Sequence, residues 1–231
     1  IVSRDWSSDV CSSDLNPYAL TVSGVTASNK TYNGTTSATL NTGSAALSAV
    51  LGTDVVTLSG TASGTFADSA VGTAKTVTIT GYTLSGANAA NYSVTQPSTT
   101  ADITAKTLTI TGLTVPSRTY DRTTTATLSG TAALSGVVSG DTVTLGGTPT
   151  VAYSDGSVGT RAVTVSGYTI GGSSAGNYTL TQPSPSGTIT AKALTVSGLT
   201  ATARAYNATT SVVISGTASL TGVIAGDTVT V

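Results

Sequence analysis

Tyr120-Asp121-Arg122-Thr123-Thr124-Thr125-Ala126 is one of three versions of a single phrase. The others are Tyr32-Asn33-Gly34-Thr35-Thr36-Ser37-Ala38 and Tyr206-Asn207-Ala208-Thr209-Thr210-Ser211-Val212. Their tyrosines lie 88 (120 − 32) and 86 (206 − 120) residues apart, the length of a small domain, so the chain reads as a tandem array. The units are 16–105, 106–191 and a partial third, 192–231, which holds about half a unit's strands and is expected not to fold alone. What recurs within the phrase is Tyr, then Asn or Asp, then Thr-Thr. Because Gly34 becomes Arg122 and Ala208, positive φ is not expected to be required there. An Asx turn on Asn33, Asp121 and Asn207, with the tyrosine as a buried anchor, accounts for the pattern. The phrase then marks the spacing of the array more than any chemistry.

The second unit shows the local structure. Leu108 and Ile110 alternate with Thr107, Thr109 and Thr111, the period of a strand with one buried face, stopped by Gly112. Ala126 and Leu128, ended by Gly130, form another. Asp141 opens a third, with Val143 and Leu145 inward. Val163 and Val165 alternate up to Gly167, Asn177-Tyr178-Thr179-Leu180 is extended, and a short strand around Ile189 closes the unit. This makes six or seven strands with no helical period. Thr and Val suit such a pleated surface. The expected fold class is therefore all-β: tandem small β-sandwich modules, immunoglobulin-like, with Tyr178 and Tyr92 as tyrosine corners or as ordinary half-buried strand tyrosines. A β-grasp-like module is the alternative and would need a helix.

Residues 1–15 (IVSRDWSSDVCSSDL) stand outside the pattern and hold the only Cys, Cys11, and the only Trp, Trp6. They resemble a translated sequencing-adapter remnant and are expected to be an assembly artefact. A lone thiol has no partner for a disulfide or a metal site. With no Met, and a halt partway through the third unit, the chain is expected to be a piece of a longer protein.

Only 8% of residues are charged and the net charge is −1, so no pull toward nucleic acid is expected. His and Glu are absent, which removes the commonest proton-transfer and metal-binding groups. No apolar run approaches a membrane span.

The Tyr32-Asn33-Gly34 phrase, the Gly140-Asp141-Thr142-Val143 turn and the closing Asn177-Tyr178-Thr179-Leu180-Thr181-Gln182-Pro183, in that order, resemble the YDG repeat of large bacterial surface proteins, including filamentous-haemagglutinin-like adhesins. The resemblance covers about residues 18–231. It departs at the name-giving triplet, which here reads Tyr-Asn-Gly, Tyr-Asp-Arg and Tyr-Asn-Ala. It implies export, display on a bacterial surface and tandem arrays, and no particular ligand.

Candidate sites reduce to structure. Asp54, Asp141 and Asp227, like Asp68 and Asp155, are too scattered for a calcium cage of six to eight oxygens and read as turn formers. Asp102 at the first joint becomes Thr188 at the second, against a shared bridging ion. A Lys-to-Asn crosslink at Asn91 or Asn177 lacks its chemistry: Lys30 becomes Arg118 and Arg204, Lys75 becomes Arg161, and no Glu is present. Lys106 and Lys192 read as solvent-facing joint residues. Nine tyrosines could stack on sugars, but with a single Phe they read first as core. No catalytic, cofactor-binding or metal-binding residue is assigned. The expected function is a non-enzymatic stalk or spacer in a secreted, extracellular bacterial surface adhesin. Its partners would be the neighbouring repeats, with host or surface glycans or proteins engaged through other regions. The alternative is a direct glycan- or protein-binding adhesive module. At the joints, 188–196 contain no Gly or Pro, so one unit's last strand should run almost directly into the next unit's first.

Overall fold

A computed structural model describes residues 16–231, and the adapter-like run 1–15 lies outside them. The chain is all-β: the only helical elements among the described residues are the 3-10 turns Ala89–Asn91 and Ala175–Asn177. The helix that a β-grasp module needs is absent among those residues. Among the described residues no helix is long and apolar enough to cross a membrane.

The described chain packs as two compact units that do not follow the sequence period. The first contains residues up to Thr107 together with Val138–Thr142 and Ser173–Thr179. The second contains Leu108–Val137, Val143–Gly172 and Leu180–Val231. Two short pieces of the second repeat thus belong to the compact body of the first.

In the first unit a three-stranded sheet places Tyr18–Ser23 between Ala46–Leu47 and Tyr92–Thr95, with the Tyr92 strand parallel and Leu20 opposite Val94. A five-stranded sheet runs Lys30–Thr31, Ser98–Thr104, Gly72–Ser85, Thr57–Phe66, Ser37–Ala38. Leu20 and Val22 are buried from one sheet, and Phe66, Val77, Ile79 and Ile103 from the other. In the second unit the hairpin Thr144–Tyr153 with Gly159–Gly171 is extended by Ser186–Thr190 and Arg118–Thr119. Its core gathers Tyr153, Val163, Val165 and Ile189, with Tyr120, Leu128 and Tyr168 packed against it. Tyrosine is the bulky core residue of this chain: Tyr32, Tyr82, Tyr92, Tyr153 and Tyr178 are all buried.

Several strand limits differ from expectation. Gly112, Gly130 and Gly167 do not end strands but sit within Lys106–Thr114, Ser129–Ser135 and Gly159–Gly171. Ala126 and Leu128 precede the Ser129 strand, and the strand after Asp141 begins only at Thr144. The reason is a recurrent bulge. In the hairpin Thr57–Phe66 with Gly72–Ser85 the register shifts between Gly60 and Ser63, opposite Gly81. Gly81 has φ 96, and a Cβ there would lie 2.2 Å from the Thr61 carbonyl oxygen. Such close backbone approach admits only glycine, so the strands bend and continue where the sequence reads as stopping.

Gly81→Val should therefore lower stability by about 3 kcal/mol or more, seen as a lower urea midpoint at unchanged slope.

Candidate functional site

The repeated phrase folds the same way three times. Asn33 Oδ1 accepts from the Thr35 N–H (3.1 Å) and hydroxyl (2.9 Å). Asp121 accepts from Thr123 at 2.9 and 2.8 Å, and Asn207 from Thr209 at 3.2 and 2.9 Å. The Asx turn expected from sequence is present in all copies. A cation two residues before each tyrosine closes it. Lys30 Nζ donates to Asn33 Oδ1 (3.1 Å) and the Ser37 carbonyl (3.1 Å). Arg118 reaches Asp121 and the Thr123 carbonyl, and Arg204 reaches Asn207 and the Thr209 carbonyl. Arg118 and the Thr123 N–H hold the Asp121 carboxyl at about 2, below its usual 3.8.

One expectation fails here. The third residue adopts positive φ in every copy: 78 for Gly34, 68 for Arg122 and 57 for Ala208. The left-handed conformation costs a side-chain-bearing residue about 1–2 kcal/mol. The cation and the Asx oxygen, gripping the turn from both ends, hold the conformation regardless of the residue that occupies it.

The tyrosine that opens the phrase reaches into the next repeat. Within the first compact unit the Tyr32 hydroxyl donates to Asp141 Oδ1 (3.1 Å) and Oδ2 (2.9 Å). The Tyr178 hydroxyl donates to the same carboxylate and accepts from the Val138 N–H at 2.9 Å. The two rings meet edge to face, centroids 5.4 Å apart. Beside them Asn177 Oδ1 accepts from the Val71 N–H at 3.0 Å. Within the second unit Tyr120 donates to Asp227 Oδ1 at 3.1 Å, Arg122 Nη1 donates to the Ala225 carbonyl at 2.9 Å, and Arg122 Nε lies 3.5 Å from Asp227. In the first repeat Tyr92 donates to Asp54 at 2.7 Å and accepts from the Leu51 N–H, with Tyr18 edge-on to its ring. The tyrosine-corner reading is thereby corrected: these hydroxyls bond a carboxylate and an N–H about 40 residues upstream, not the backbone a few residues back.

The order of these parts matches one family model, described as YDG domain, over residues 16–101 and 104–186. The chain belongs to the YDG domain family. No curated protein and no solved structure is detectably similar to it.

The remaining aspartates of these YDG repeats hold local turns. Asp68 accepts from the Ala70 N–H and pairs with Lys75 at 2.7 Å. Asp155 repeats this with the Ser157 N–H and Arg161. Asp102 accepts from the Ala74 N–H at 2.8 Å, and Asn29 bonds both its side chain and its backbone N–H. Among the described residues no three potential metal ligands gather. Lys192 lines a cavity beside Tyr120. Sequence reasoning had Asp54, Asp141 and Asp227 as turn formers and missed that they receive tyrosines. The available signal was a recurring separation, 109 residues from Tyr32 to Asp141 and 107 from Tyr120 to Asp227.

Asp141→Ala would remove the acceptor of two buried O–H donors, Tyr32 and Tyr178, and should cost about 2–4 kcal/mol. Asp54→Ala, which strands one, should cost less; denaturant midpoints of the two variants make the comparison. Burial, then the Asp141 carboxylate, pushes the Tyr178 hydroxyl from its usual 10 up to about 12. A folded value raised in this way means the stabilisation is complete below pH 10 and is lost as pH rises through 12. Phenolate absorbance should show a late-titrating tyrosine in that window, absent in Tyr178→Phe.

Proposed function

We propose that the chain is a run of spacer repeats from a secreted bacterial surface adhesin, with no catalytic role, displayed outside the cell. Each repeat is read as a small immunoglobulin-like sandwich. The three-stranded and five-stranded sheets of the first unit, each with an apolar buried face, support that reading. The observation that carries the function is the joint: Asp141 of one repeat receives Tyr32 of the repeat before it and Tyr178 of its own. A module made to bind a ligand need not grip its neighbour, whereas a spacer must. Chain connectivity adds to this, because Ser98–Thr104 is separated from Lys106–Thr114 by Ala105 alone. The partners are then the adjoining repeats, with host or surface glycans or proteins engaged through other regions.

One observation favours direct glycan binding instead. A groove of about 490 Å³ in the first unit is lined by Thr36, Ser37, Thr42, Thr61, Ser63 and Tyr82 among others. The buried Tyr82 hydroxyl has no partner among the described residues.

Small-angle scattering on residues 16–191 tests the spacer reading. A narrow distribution of inter-repeat distances that broadens in Asp141→Ala supports it, and a broad distribution in the wild type overturns it. Saturable glycan-array binding that is lost in Tyr82→Phe would replace it with the second reading.

A further inference from the structure

In the first compact unit the chain enters the repeat along Tyr18–Ser23 and leaves it along Ser98–Thr104. Both strands are held by parallel ladders. Tyr18 to Thr21 lie opposite Tyr92 to Thr95, and Ile103 and Thr104 lie opposite Lys30 and Thr31. Two further bonds reinforce the second ladder. The Tyr32 N–H donates to the Thr104 carbonyl at 2.8 Å, and the Thr104 hydroxyl donates to the Lys30 carbonyl at 3.3 Å. On its other edge the exit strand pairs antiparallel with Gly72–Ser85, from Ser98 opposite Thr78 to Ile103 opposite Gly72. The second unit repeats the exit ladder. Ile189 and Thr190 lie opposite Arg118 and Thr119, the Tyr120 N–H donates to the Thr190 carbonyl at 2.9 Å, and the Thr190 hydroxyl donates to the Arg118 carbonyl at 3.2 Å.

Tension carried by the chain pulls Tyr18 backward along its strand and Thr104 forward along its own. Tyr18 stands beside Tyr92, the start of the run that ends at Thr104, so entry and exit lie at opposite ends of that run. A strand drawn lengthwise past its neighbour must break all its rungs together, whereas an antiparallel pair drawn apart at its open end breaks them one at a time. The first geometry sets the sum of the hydrogen bonds against the force, and the second sets only one. The exit strand also lies between two neighbours in its sheet, so no side of it is free to peel. The strand that locks the exit holds the next repeat as well. Tyr32, directly after Lys30–Thr31, donates its hydroxyl to Asp141. A pull from the following repeat therefore reaches the first one through Ala105 and, separately, through Tyr32. Lys30 pins the same strand to Asn33 and the Ser37 carbonyl.

We propose that the repeat is a force-bearing clamp, whose parallel ladders take tension along the chain in shear, and that the Tyr32–Asp141 bond is a second load path beside the peptide link at Ala105. The ladder at Arg118–Thr119 and Tyr120 bears load in the second unit in the same way. This goes beyond the spacer reading. A spacer need only keep its length, whereas a clamp resists being drawn out. The property belongs to the ladders, so a broad distribution of inter-repeat distances in scattering overturns the spacer reading and leaves the clamp standing.

The test is single-molecule force spectroscopy on the full chain carrying Cys11→Ser, with handles on one of two cysteine pairs. Asn16→Cys with Lys192→Cys loads the repeats along the chain. Thr57→Cys with Ser85→Cys, at directly opposed exposed positions, unzips the antiparallel hairpin of the first repeat from its open end. At equal loading rate the first repeat should withstand at least about twofold more force along the chain than across the hairpin, because forced unfolding is governed by the barrier on the pulled route. Both proteins have the same core, so a difference in overall stability cannot mimic the result. Tyr32→Phe keeps the ring and removes the bond to Asp141. It should take away part of the excess along the chain and leave the unzipping force unchanged. Equal forces in the two directions would overturn the clamp. A Tyr32→Phe variant that lowers both forces alike, or neither, would overturn the second load path.

Discussion

The Asp141 carboxylate, shared between Tyr32 and Tyr178, is the contact on which the rest of the joint depends. A phenol donating to a carboxylate makes a charge-assisted hydrogen bond, stronger than one between neutral groups. Because the donor is neutral, the joint needs no cation. In a chain where only 8% of residues are charged, a joint of exposed ion pairs would be hard to assemble and would stabilise little. Two tyrosine rings supply apolar area and edge-to-face contact in the same stroke. Asp141 and Asp227, with Tyr32, Tyr120 and Tyr178, serve this purpose where repeats meet.

Much of the fold was legible. Alternating Leu, Ile and Val against Thr located the buried faces, so Leu108, Ile110, Val163, Val165 and Ile189 are core as their periodicity implies. Strand limits were not, because a glycine within a bulge and a glycine after a strand look alike in sequence. Only the partner strand, which brings the Thr61 carbonyl against Gly81, distinguishes them.

The site was legible in part. The Asx turn follows from local chemistry, since an Asn or Asp two residues before a Thr can satisfy that residue's N–H alone. The destination of Tyr32 does not, because its acceptor lies 109 residues away. Comparison of the three phrases also misled on conformation. Tolerance of Gly, Arg and Ala at one position suggested ordinary φ, yet all three are left-handed. Side-chain variety excludes a special conformation only when nothing else enforces it, and here Lys30, Arg118 and Arg204 do.

The variable third residue carries a meaning of its own. A Cβ on Gly34 would lie 3.1 Å from Val138 Cγ1, so at the first joint the phrase lies close against the turn leading to Asp141. At the second joint Arg122 reaches over the corresponding turn, bonding the Ala225 carbonyl and approaching Asp227. Close packing by a small residue and bridging by a long one are alternative ways to seat the same phrase on the same turn. The constraint falls on the contact rather than on the residue, and so the third residue of the triplet varies while the tyrosine that opens it and the aspartate that receives that tyrosine at both joints do not.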